Sequence, residues 1–240
     1  MTKLRLQYKV FFLMLICQYS VAQPLNFASI EKLIEQDIGR SIVPVFYQKL
    51  GIDILITPLP AERAQREAVS GVKDGEIMRI WSYGVENPDM LRVPTPYYFV
   101  ETSAFIERDS NIIILDKSDL ATYRVARVRG VKHTNNITQG LSQVFDMSDT
   151  EQMMKYLSSG MVDVVLTSAM DGQNVIERLG YENIKQIEPP LRTLKLYHYL
   201  NNKHKNLLPK IDAVIRNMKD SGELEALISS AKSQVLNQLH

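Results

Sequence analysis

Apolar and polar positions fall into alternating blocks along this chain, short β-branched runs giving way to stretches with apolar residues three or four apart. Leu25-Asn-Phe-Ala-Ser29 reads as a strand, and Ile30, Leu33, Ile34, Ile38, Ile42, Phe46 and Leu50 then recur at helical spacing until Gly51 interrupts them. Ile52 to Thr57 is again apolar and β-branched, and Pro60 suits a helix start, where its missing amide is not needed. Asp74 to Ile80 supplies a third strand, so the alternation predicts an α/β fold with a mostly parallel sheet. After an irregular stretch from Trp81 to Pro88, a strand is expected over Phe99 to Glu107. A second series follows from Ile112, with a helical turn at Ser118-Asp-Leu120 and strands over Tyr123 to Val128 and Asp163 to Thr167. Between those strands, Ser148-Asp-Thr-Glu151 is a capping-box pattern that starts a helix at Ser148, with Met147 as its hydrophobic staple. Leu194 to Leu200 reads as one more strand, and helical patterns close the chain over Leu207 to Met218 and Leu224 to about Leu236.

One phrase occurs in both series. Ser70-Gly71-Val72-Lys73-Asp74 and Ser159-Gly160-Met161-Val162-Asp163 each end a helical pattern and open a strand. A glycine just past a helix end adopts the left-handed conformation that closes the last turn. The repeat therefore predicts the same helix-to-strand junction in two lobes, with a cleft between them.

Residues 1–22 change the bulk properties. A basic start (Lys3, Arg5, Lys9), the apolar run Val10 to Cys17 and small residues at Ser20 and Ala22 read as a secretory signal peptide cut after Ala22, which implies a periplasmic location. Without that segment 218 residues remain (240 − 22), with 25 basic side chains (28 − 3) against 27 acidic ones and no cysteine. Such a near-neutral chain offers no electrostatic case for nucleic acid, and without a thiol neither disulfides nor thiolate chemistry is available.

The order of these features resembles the family 3 extracellular solute-binding proteins, which include the amino-acid receptors of ABC importers. The likeness is carried by Gly51-Ile-Asp-Ile54, the two Ser-Gly-x-x-Asp strand entries, Pro94-Thr-Pro-Tyr-Tyr98 before a crossing, Ser118-Asp-Leu120, and Met218-Lys-Asp-Ser-Gly-Glu-Leu224. Pro58-Leu-Pro-Ala-Glu-Arg-Ala64 with Asp74-Gly-Glu-x-x-Arg79 is similar to a divergent branch of that family. The resemblance implies a type II periplasmic-binding-protein fold with two crossings. Residues 23–108 plus 193–240 would form one lobe and residues 109–192 the other. It further implies a monomer that closes on a small polar solute without a cofactor and hands it to an ABC permease. The same body would equally serve as the sensing subunit of a membrane signalling protein.

The family's clamp on an amino-acid zwitterion is not retained. Its Thr-x-x-Arg segment, whose Arg holds the ligand carboxylate, has no counterpart in Val85 to Arg92, and counting five residues from Asp163 gives Ser168 where the receptors carry an acid for the ligand ammonium. The candidate ligand-binding residues are therefore a different polar set. Arg79 and Trp81 lie at the end of the third strand, Glu62 and Arg63 after the second, and Tyr97 and Tyr98 before the crossing. In the second lobe Lys132, His133 and Thr134 follow a strand, where backbone amides at a helix start would favour an anionic group, and Ser168 completes the set. Arg79 is the preferred candidate, since alternation along the strand turns it away from Met78 and Ile80. No metal-ligand spacing, phosphate loop or nucleophile motif is present. A cleft enzyme such as a dehydratase would have to draw on Glu76 or His133 for acid–base work.

Overall fold

The computed structural model describes residues 23–239, so the expected signal peptide lies outside the described residues. The chain begins with strand β1 (Leu25–Ile30), helix α1 (Ile34–Gln48), β2 (Ile54–Leu59), α2 (Ala61–Val69) and β3 (Gly75–Ile80). A short helix α3 (Trp81–Glu86), β4 (Met90–Arg92) and the ten-residue β5 (Tyr98–Glu107) follow. The second series comprises β6 (Val125–Val128), α4 (Lys132–Thr138), β7 (Val144–Met147), α5 (Thr150–Ser158), β8 (Val164–Ser168), α6 (Ala169–Leu179) and β9 (Ile184–Gln186). Strand β10 (Arg192–Asn201) leads back, and α7 (Leu208–Asp220) and α8 (Glu223–Leu239) end the chain.

These strands form one curled sheet in the order β2-β1-β3-β10-β5-β8-β6-β7. At one end β1 runs parallel to β2 and β3, and at the other β6 runs parallel to β7 and β8. The antiparallel pairings belong to the two long strands: Tyr98–Thr102 of β5 lies against Arg192–Leu196 of β10, and each strand then continues into a different half of the sheet. Two lobes joined by two adjacent strands are the result. Apolar faces of α1, α7 and α8 bury Ile38, Ile42, Phe46, Ile211, Ile215 and Val235 against Phe27 and Ile77. Full burial of side chains of this size contributes roughly 1.5–3 kcal/mol each before the entropy cost of ordering them.

The repeated phrase is the same device in both lobes. Gly71 (φ +80°) and Gly160 (φ +71°) take the left-handed turn, and each Asp then locks a strand entrance. Asp74 donates its amide to the Asn26 carbonyl at 2.7 Å, and its carboxylate accepts the Asn26 amide at 2.5 Å. Asp163 donates to the Arg124 carbonyl at 2.9 Å and accepts the Arg124 amide at 2.8 Å. In both lobes the carboxylate satisfies a backbone amide at the entrance of the neighbouring parallel strand.

Two local expectations shift. Helix α5 starts one residue later than the capping-box pattern indicates. Asp149 is the cap and accepts the Gln152 amide at 2.9 Å, while Gln152 Oε1 accepts the Ser148 amide at 3.0 Å. A carboxylate accepts a helical amide more strongly than a hydroxyl does, and Asp149 also meets Lys32. The stretch after Ile80 is not irregular throughout: its first six residues form α3, too short to leave a periodic signature.

Candidate functional site

Strands β1 and β3 of the first lobe and β6 and β8 of the second end at a common boundary, and the segments that follow them meet there. Ile30, Leu33 and Ala61 share one apolar cluster with Val128, Val131 and Met147, so the lobes are closed on each other. Lys32 pairs with Asp149 at 2.8 Å, Asn136 donates to the Ser82 hydroxyl at 2.9 Å, and Lys132 pairs with Glu86, all across that boundary. Gly130 permits the closest approach. Its φ of +78° disfavours any side chain, and a Cβ there would lie 2.8 Å from Glu62 Cγ and 3.1 Å from Ala61 Cβ.

Inside the closed boundary is a cavity of about 40 Å³ whose walls include Leu33, Glu35, Met78, Arg79, Val131 and His133. That is roughly the share of one liquid water, too little for a small polar solute without widening. A wider recess of about 460 Å³ opens at the rim, between Glu62 and Arg66 of α2 and Gly130, Lys132 and Asn135 of the second lobe.

Buried ionisable groups lie at and around this cavity. Arg79 is 3% exposed; its Nε donates to Glu76 at 2.5 Å and its Nη2 to the Ala61 carbonyl at 3.0 Å. Its third nitrogen, Nη1, is buried without a partner. Strand β3 is buried along its whole length, which keeps Arg79 out of solvent. Glu35, in the first turn of α1, is 7% exposed, and burial, reinforced by the like charge of Asp171, pushes its carboxyl up to about 7. The Ser168 hydroxyl opposes that rise by favouring the ionised form. Asp171, in the first turn of α6, is pushed up to about 6 by burial although the Thr150 hydroxyl hydrogen-bonds its carboxylate. The Ile34 amide also favours its charge, at a helix start where Leu33 provides no side-chain cap. His133 Nδ1 lies 2.8 Å from the Thr102 hydroxyl, and burial pushes its pKa down to about 4, leaving the ring neutral.

Of the residues selected from sequence, Arg79, Lys132 and His133 line the cavity. Ser168 sits beside it as the cap of α6, accepting the Asp171 amide at 2.9 Å. Glu62 is at the rim recess, whereas Arg63 is solvated and pairs with Glu67 at 2.6 Å along α2. Trp81 is 54% exposed, with the Arg92 guanidinium over its ring and Tyr197 against its edge. Tyr97 packs in the core of the first lobe and donates to the Ile77 carbonyl at 2.8 Å, and Tyr98 is buried beside it. Thr134 donates to the Val131 carbonyl at 3.0 Å, so its hydroxyl is already engaged. Glu35 and Asp171 were not selected. The available signal for Glu35 was an acid placed three and seven residues before Ile38 and Ile42, on the apolar face of an amphipathic helix.

The fold is a two-lobed α/β architecture with the lobes closed on each other, and solved structures share it. An arginine-binding protein of T. maritima superposes with a TM-score of 0.70 at 15% identity, over 88% of this chain and 95% of that one. An amino acid ABC transporter substrate-binding protein from Streptococcus pneumoniae, bound to L-arginine, gives 0.68 at 16% identity over 89% and 96%. A histidine kinase sensor domain with similarity to periplasmic binding proteins gives 0.74 at 16% identity over 87% and 95%. Among curated proteins, an uncharacterized protein of Shewanella oneidensis is 26% identical over 192 residues, 77% of this chain and 72% of its own length. No protein-family profile matches the chain. Among the described residues, no helix is long and apolar enough to cross a membrane, and no cluster of metal-ligating side chains is present.

Proposed function

We propose that this protein is a periplasmic receptor of the family 3 solute-binding type, closing two lobes over a small polar solute and delivering it to an ABC importer. The lobes would divide as residues 23–108 with 193–240, and residues 109–192. The observation that supports the reading is the cavity at the converging strand ends, walled by Leu33, Glu35 and Arg79 on one side and Val131 and His133 on the other. Arg79, Lys132, His133 and Ser168 would contact the solute or the groups that hold it. A binding role fits better than catalysis because Glu76 is tied to Arg79 and His133 to Thr102. A second reading, the sensing subunit of a membrane signalling protein, is favoured by the likeness to the kinase sensor domain.

The test is a thermal-shift panel of amino acids, organic acids, amines, polyamines and small peptides on the protein lacking residues 1–22. A ligand at 100 times its Kd adds about 2.7 kcal/mol, on the order of 5–11 °C for a chain of this size. A shift abolished by Leu33→Trp, which fills the cavity wall, with the unliganded transition intact, supports the reading. A panel without any shift, or one unaffected by that substitution, counts against it. Cross-linking in cells then separates the two partners: capture of a permease supports import, and capture of a sensor supports signalling.

A further inference from the structure

We propose that Glu35 and Asp171 form a proton-dependent latch between the lobes: the closed cleft holds the pair with a proton on at least one carboxyl, and losing that proton weakens closure. The inference rests on the lobes being able to part, as the proposed receptor requires, and adds what sets how readily they do so.

The two acids come from opposite lobes and are buried where those lobes meet. Glu35, in the first turn of α1, is 7% exposed and shares the cavity wall with Val131 and His133 of the second lobe. Asp171, in the first turn of α6, is 3% exposed and shares a recess of about 240 Å³ with Lys32, Ile34 and Asp37 of the first lobe. Helices α1 and α6 pack on each other, and Met170, beside Asp171, reaches the core of the first lobe. The groups that hold the pair are uncharged. Thr150 and Thr167 donate to the Asp171 carboxylate, the second at 3.3 Å, and the Ser168 hydroxyl supports the ionised form of Glu35.

The cations that face the pair are all engaged elsewhere among the described residues. Beside α1, Lys32 pairs with Asp149 at 2.8 Å and Arg40 with Asp37. Arg178 of α6 pairs with Glu151 of α5, Lys132 of α4 with Glu86, and Arg79 of β3 with Glu76. Lys232 of α8 reaches Glu35 only as the weakest of the influences on it, and His133 is neutral. Two like charges shut off from water without a counter-ion are costly to ionise together, and a proton relieves that cost. Opening hydrates both groups and returns each toward its ordinary value, 4.5 for Glu35 and 3.8 for Asp171, from about 7 and about 6 in the closed cleft. The closed form therefore binds protons more tightly. Closure is fully supported below the ordinary values and loses that support as pH rises through about 6 and then about 7. His133, pushed down from 6.5 to about 4 by burial, acts in the opposite sense below 6.5 and subtracts from the effect.

The experiment is single-molecule fluorescence energy transfer between dyes on Val72→Cys and Met161→Cys, both exposed positions, in the protein lacking residues 1–22 and hence free of other thiols. No solute is added, and pH is varied from about 5.5 to about 8.5 at constant ionic strength. The ratio of open to closed molecules is expected to rise about tenfold across that range, the effect of the two acids less that of His133. Glu35→Gln carries an amide that neither titrates nor repels Asp171, so the rise should disappear, whereas Glu35→Asp should keep part of it. Circular dichroism confirms that each variant is folded. Asn136→Ala deletes the bond to Ser82 across the boundary without touching a titrating group. It should raise the open fraction alike at every pH, and it serves as the background in which the ratio is read where the closed form dominates. A ratio in that background that does not change with pH overturns the inference, and so does a rise that is the same in Glu35→Gln as in the parent protein. Either result leaves the receptor reading standing, since that reading falls only if the solute panel is silent.

Discussion

Glu35→Gln replaces a titrating buried carboxyl by a neutral amide of the same shape, and the consequence for stability depends on pH in a way that can be worked out. Burial raises the Glu35 carboxyl from 4.5 to about 7 in the folded protein. Its folded form therefore binds a proton more tightly than its unfolded form, so its stabilisation is complete below 4.5 and is lost as pH rises through about 7. At about 1.4 kcal/mol per pKa unit the loss is about 3 kcal/mol. His198 acts in the opposite sense. It is fully buried against Tyr47, and its pKa is pushed down from 6.5 to about 4, so its contribution disappears as pH falls through that interval. His133, lowered likewise to about 4, and Asp171, raised to about 6, add one further leg of each sign, so the opposing legs overlap and the wild-type protein is expected to melt at nearly constant temperature between about pH 4.5 and pH 6. The difference between Glu35→Gln and wild type isolates one leg. Relative to its value at about pH 4.5, that difference should move by about 3 kcal/mol in favour of the variant at about pH 8, or roughly 6–12 °C in melting temperature. Differential scanning calorimetry of both proteins across that range is the assay. A difference that stays constant with pH would refute the reasoning, because any packing defect in the variant is itself independent of pH.

Other consequences follow from single contacts. Asp163→Ala removes the acceptor for both the Arg124 amide and its guanidinium, and a loss of about 1–3 kcal/mol is expected as a lower urea midpoint with unchanged slope. Tyr47→Phe deletes the hydroxyl 2.8 Å from His198 Nε2 and leaves that buried nitrogen unpaired, at a similar cost in the same measurement. Gly130→Ala places a methyl group against Glu62 and Ala61 and forces a residue with a Cβ into a left-handed turn. It should weaken binding of any cleft ligand at least about tenfold in titration calorimetry while lowering stability by only about 1 kcal/mol.

The α/β alternation and the duplicated junction were legible because both rest on local chemistry: the period of apolar positions, and a glycine and an aspartate that close a helix and open a strand. Asp74 and Asp163 even make equivalent bonds, as their equal spacing from Gly71 and Gly160 implies. Arg79, the candidate preferred on strand alternation, lines the cavity together with Met78 and Ile80, so alternation alone does not separate the residues of β3 there. Local patterns could not tell cleft from surface for Arg63 and Trp81, because the separation of the lobes is set by contacts far apart in sequence. The same limit concealed Glu35 and Asp171. Each lies near a helix start, where acids are ordinarily solvated and favourable, and their burial follows from α1 and α6 meeting across the boundary between the lobes.

A receptor of the proposed kind separates its lobes to admit a solute and closes them around it. Val72 and Met161, exposed at equivalent positions in the two copies of the repeated phrase, would carry spin labels after replacement by cysteine in a protein lacking residues 1–22 and hence free of other thiols. Pulsed electron–electron double resonance then reads the distance between lobes directly. Such closure gives a broad or two-peaked distribution without ligand that collapses to one narrow distance when a binding solute saturates the cleft. A single distribution that is unchanged by saturating solute would contradict it.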